Sequence, residues 1–203
     1  MDRPALSPPH RGARGFDFTA AMRRLCRDIA LRSSELGHVD IDRVAIRFCQ
    51  TRHRAMHGVQ ASLTPLRFAG GAIHDERRGR RRRIEPVRDA AGREMLYLLS
   101  FYLPRFLDRP FEDKLVTVFH ELWHIGPAFD GDLRRHEGRC FAHGASASEY
   151  DDRMRGLAAN WLASRPPDEI HDFLRLDFAT LARRHGAVYG TRLRTPRIVA
   201  VET

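Results

Sequence analysis

The residues best suited to chemistry in this chain are His120, Glu121 and His124, set in the run His120-Glu121-Leu122-Trp123-His124. On a helix, positions i and i+4 lie one above the other, so two imidazoles at that spacing converge on one cation. A glutamate directly after the first histidine then stands beside the cation and not on it. That is the place for a general base that takes a proton from water activated by a metal such as Zn2+. The competing reading is a pair of core histidines bonded to backbone carbonyls. It requires two imidazoles and a carboxylate to be buried together without a cation, which leaves costly polar groups to satisfy.

A zinc site that turns over typically has three protein ligands and one open position. The candidates for the third are Asp130, His136 and His143. Asp130 stands six residues beyond His124, the last-ligand position of the longer motif HExxHxxGxx(H/D). Pro127 occupies that motif's glycine position, and the plain role of Asp130 is to form a turn. His136 and His143 lie twelve and nineteen residues beyond His124, and either segment could return to the cation. They could not both do so from one continuous helix, where seven residues span about 10 Å. His143, Tyr150 and Arg135 are the candidates for steadying a developing oxyanion.

The helix that must carry the run is well marked. Arg109-Pro110-Phe111-Glu112-Asp113 offers a proline at the first turn with two acids behind it, and Gly126-Pro127 stops the helix. The residues between are apolar almost all round, which predicts a buried helix. Upstream, Phe16–Leu36 reads as an amphipathic helix, and Val44–Gln50 as a strand. Val59–Phe68 reads as an edge or bent strand because of Pro65, and Glu94–Leu103 as a strongly apolar strand whose edge could take an extended peptide. Between them, Gly70–Gly92 reads as a long charged mobile loop. Downstream, Ser146–Ser164 reads as a helix with Ser146 and Glu149 as a capping box. Pro166-Pro167 breaks the chain before a final helix over Asp168–His185, and Ile198–Val201 is a short extended segment.

The run Val118–Ile125, followed by Phe129-Asp130-Gly131 and by Leu133-Arg134-Arg135-His136, resembles the phage-type metallopeptidases. These are small zincins in which HELxHI is followed by a turn with glycine and then L-x-x-H. The resemblance implies a zinc peptidase with His120, His124 and His136 on the metal and Glu121 as general base. A looser similarity to SprT-like proteases, whose third histidine opens a helix in an HG dipeptide, would put His143 in place of His136. The expected fold is therefore α+β: a minimal zincin-like domain, with a small, mostly antiparallel sheet packed against the buried HExxH helix and flanking helices.

Length and composition fit this. A chain of 203 residues with 42% hydrophobic and 30% charged residues is of ordinary globular make-up for one domain. The expected layout is a disordered tail over residues 1–15, a single domain over 16–185 with a basic loop insertion at 70–93, and an extension over 186–203. No run of eighteen apolar residues exists, so no membrane partner is expected. Three scattered cysteines argue for a reducing cytoplasm. The formal charge of +9 rests almost wholly on arginine, since Lys114 is the one lysine. Six arginines among Arg77–Arg83 exceed that background. A solvated charge run is the plain explanation; contact with nucleic acid is the functional one, beside the protein or peptide substrate that the zinc site implies.

Overall fold

The structure is a computed structural model that describes residues 15–51, 58–135 and 147–201. In chain order its elements are β1 (Phe16–Asp17), α1 (Phe18–Arg32), β2 (Val44–Gln50), β3 (Ala61–Pro65), β4 (His74–Arg77) and β5 (Arg80–Ile84). There follow β6 (Tyr97–Leu103), α2 (Phe111–Trp123), α3 (Ala147–Ala163), α4 (Asp168–His171), α5 (Phe178–His185), β7 (Val188–Tyr189) and β8 (Ile198–Ala200). The class is α+β. Among the described residues three of the five strand pairings are antiparallel, but the sheet beside α2 is mixed: β6 lies between β2, parallel to it, and β3, antiparallel to it. Among the described residues no helix is long and apolar enough to cross a membrane.

Period-two alternation gives β2 and β6 two distinct faces. Val44, Ile46, Phe48, Tyr97, Leu99, Phe101 and Leu103 face the main core with α1, α2 and α3. Ala45 and Leu98 face a second, smaller core with Leu66, Val87 and Met95. On that side Arg47, only 7% exposed, donates to Ser100 Oγ (2.8 Å), Leu193 C=O (2.6 Å) and Thr195 Oγ1 (3.0 Å). The segment expected as a C-terminal extension is held against the back of the sheet by this buried guanidinium.

Three expectations are corrected. The segment read as a mobile loop contains the β4–β5 hairpin, and β8 adds to it as a third strand. Charge on both faces hid its alternation. The strand expected to offer a peptide edge, β6, is central; the edge beside α2 belongs to β3. The final helix is broken: α4 passes into a 3-10 turn over Asp172–Arg175, and Asp177 starts α5 by accepting from Thr180 N–H (2.6 Å). Lys114 fixes that break. Its ammonium, on a residue only 2% exposed, donates to Leu107 C=O (2.6 Å) and Leu176 C=O (2.9 Å). Residues 1–14 of the expected tail and Ser146, the expected N-cap, lie outside the described residues.

Candidate active site

Helix α2 begins after Pro110 with Glu112 and Asp113 in its first turn, where carboxylates favour the positive end of the helix dipole. Its apolar faces are buried through Leu115, Val118, Phe119, Leu122 and Trp123. That burial fixes the helix's rotation, so His120, Glu121 and His124 emerge together at its C-terminal end. The chain then doubles back. Arg134 N–H donates to His124 C=O (2.7 Å), and Ile125 bridges Leu133. Arg134 also donates from Nε to Trp123 C=O (2.8 Å). Its guanidinium lies 4.0 Å from the centre of the Trp123 ring, and that of Arg153 on α3 lies 4.2 Å from it. These contacts dock α3 against the end of α2.

The i, i+4 spacing brings the rings of His120 and His124 together, with centroids 4.7 Å apart and planes nearly perpendicular. Both are half-buried. Glu121 is 7% exposed. Burial pushes its carboxyl up to about 7, opposed by the nearby backbone N–H of Leu63 in β3. Tyr150, from α3, completes the group: its ring lies 5.0 Å from that of His120 and is stacked 6.4 Å from that of His124. Burial, and then the nearby Glu121 charge, raise the phenol's pKa, which keeps it a proton-bearing donor.

The strand edge beside this cluster can be read from the ladder. Tyr102 N–H donates to Gln60 C=O (2.9 Å) and Leu66 N–H to Leu96 C=O (3.0 Å). In an antiparallel pair hydrogen-bonded positions alternate, so Ser62 and Thr64 bond to β6. Ala61, Leu63 and Pro65 therefore turn their backbone groups outward. The Leu63 N–H meets Glu121, and Pro65 has no N–H to leave unsatisfied.

No protein-family model, curated protein or solved structure matches this chain.

Of the candidates for a third metal ligand, Asp130 is described, and its Oδ1 accepts from Asp132 N–H (3.0 Å), the turn-forming role. The same turn is tied down by Gly131. Its φ of +94° and its closeness to Arg67 exclude a side chain, and its N–H donates to the Tyr97 hydroxyl (3.0 Å). His136 and His143 lie outside the described residues. Arg135, a candidate for the oxyanion, is paired with Asp132 (2.9 Å).

Elsewhere, ligand atoms of Asp168, His171 and Asp172 lie within 4.8 Å of one another. Nε2 of His171 faces Asp168 (3.7 Å) and Nδ1 faces Asp172 (4.0 Å), so the two nitrogens point to different carboxylates. The ring is 3% exposed and packs on Trp161 (5.5 Å) and Phe111 (6.0 Å). This geometry describes an imidazole bracketed by two acids more than a single cation site.

The sequence did not point to Leu63, because its contribution is a backbone N–H and carries no residue-type signal. By type alone Tyr150 is one of three oxyanion candidates. Its place beside both histidines singles it out.

Proposed function

We propose that this protein is a zinc-dependent peptidase of the zincin type, with His120 and His124 holding the metal and Glu121 acting as general base. The observation that carries the reading is the convergence of the two imidazoles beside a buried carboxylate, under the outward edge of β3. The residues fit the metal in type and spacing: two neutral nitrogen donors at i and i+4, with an acid beside them whose burial serves no packing purpose. A purely structural metal would give that acid no task. The motif's likeness to phage-type metallopeptidases supports the same reading, with His136 as third ligand.

When bound, Zn2+ supplies Lewis acidity toward water and toward a substrate carbonyl. Glu121 accepts a proton at its carboxylate and delivers it to the leaving amine; a pKa raised toward neutrality suits both halves of that transfer. The Tyr150 hydroxyl donates to the oxygen on which negative charge develops. An extended substrate segment adds to β3 through the backbone groups of Ala61 and the Leu63 carbonyl. Among the described residues Cys26 and Cys49 are free thiols, which suits a reducing cytoplasm.

The test is metal analysis of the purified protein together with cleavage of an unfolded protein substrate. Wild type should carry zinc, and His120→Ala and His124→Ala should lose it. Comparing His136→Ala with His143→Ala identifies the third ligand. Glu121→Gln should keep the metal and lose about 100-fold or more in kcat. Cleavage by Glu121→Gln at the wild-type rate, or wild type free of metal, sinks the proposal.

A further inference from the structure

We propose that the β4–β5 hairpin is a docking ribbon for duplex DNA, acting through the arginines at its tip. The turn is Arg78-Gly79, with φ of +55° and +70°, the two-residue type that matches the twist of paired strands. Its register sets Asp75 opposite Arg82 and Glu76 opposite Arg81, but Arg77 opposite Arg80. Asp75 and Arg82 form an ion pair. Arg77, Arg78 and Arg80 are exposed, and among the described residues no acid pairs with them. Like charges set directly across a ladder destabilise it. Among the described residues the positive charge is thus opposed by acids toward the base of the ribbon and not at its tip.

The ribbon is also built to hold its shape. Strand β8 pairs with β5, Ile84 packs on the smaller core, and Gly70 N–H, just before the hairpin, donates to Asp132 (2.9 Å). A concavity of about 740 Å³ lies on the face carrying Arg77, Arg78, Arg80, Arg82 and Ala200. A guanidinium binds phosphate oxygens in a forked pair of hydrogen bonds. Between Ala69 and Ile84 the one ring is His74, at the base of the ribbon opposite Arg83 and bonded to Arg81 (3.0 Å), so the tip has no ring on which unpaired bases could stack. That favours a duplex over a single strand. A two-stranded ribbon enters the wide major groove of B-form DNA, whereas the major groove of duplex RNA is too deep and narrow.

The experiment is fluorescence anisotropy of a short labelled DNA duplex with the full chain, between about 50 and 200 mM salt. Wild type should bind, and binding should weaken steeply with salt. The triple variant Arg77→Ala/Arg78→Ala/Arg80→Ala should bind about 10-fold or more weakly, with the log–log salt slope reduced by about 3. A charge-matched control, Arg24→Ala/Arg155→Ala/Arg184→Ala, should bind within about twofold of wild type. Thermal melts of both triples confirm folding. Four results overturn the proposal: no duplex binding at low salt, a tip variant that binds like wild type, equal loss in the control, or tighter binding to a single strand or to polyglutamate.

Discussion

The backbone N–H of Leu63, on the outward edge of β3, lies close enough to the carboxylate of Glu121 to favour its charged form. It opposes the burial that raises the pKa of Glu121. Leu63→Pro removes the donor without breaking the ladder to β6, because Leu63 points outward, as does Pro65 two residues on. The variant should fold and keep its metal. Its cleavage rate should fall about 10-fold, and the acid limb of its pH–rate profile should move to higher pH. A profile and rate identical to wild type would show that the contact has no bearing on catalysis.

Tyr150 sits over both histidines and keeps its proton because burial and the Glu121 charge disfavour the phenolate. Removing only the hydroxyl, by Tyr150→Phe, leaves the ring packing in place. If the hydroxyl steadies an oxyanion, kcat should fall by about 100-fold while KM and zinc content hold. Loss of zinc, or a change confined to KM, would assign Tyr150 to positioning the histidines or the substrate instead.

Much of the framework could be read from the sequence where burial imposes a period. Val44–Gln50 is a strand over those very bounds, and the proline, acids and Gly126-Pro127 bracket α2 to within two residues. The reading failed where polar residues carry the structure. Arginine on both faces of β5 concealed a strand that pairing with β4 and β8 makes regular. Leu176 and Asp177 broke an apolar pattern into two helices for a reason in another part of the chain, the Lys114 ammonium. The site divides the same way. His120, Glu121 and His124 announce themselves by type and spacing, whereas the Leu63 N–H and the approach of Tyr150 depend on tertiary placement alone.

Arg47 shows the same dependence and is open to a stability test. Its guanidinium, buried behind β2, holds Leu193 C=O and Thr195 against the sheet. Arg47→Leu strands these acceptors, and removing a charged donor of this kind costs about 2–4 kcal/mol. The segment from Thr191 to Ala200 should then become the first site of proteolytic cutting, and hydrogen exchange in β5, which pairs with β8, should speed up. Unchanged protection in β5 would mean that β8 is held independently of Arg47.

Lys114 supplies a pH signature. Burial pulls its pKa from 10.5 down to about 8. Between those values the unfolded chain binds a proton that the folded chain does not, so this group makes stability rise with pH, by up to about 1.4 kcal/mol per pH unit. Burial pushes Cys26 and Tyr97 up to about 12, and they act in the opposite sense over the same range, since the folded chain then holds the extra proton. Wild type alone therefore does not isolate the lysine; a comparison with Lys114→Met does. The unfolding free energy of wild type minus that of the variant, from denaturant titrations at pH 7.5 and pH 10, which take in most of the interval from about 8 to 10.5, should increase with pH. If the two proteins track each other across that range, the ammonium is not held in the desolvated site that its bonds to Leu107 and Leu176 describe.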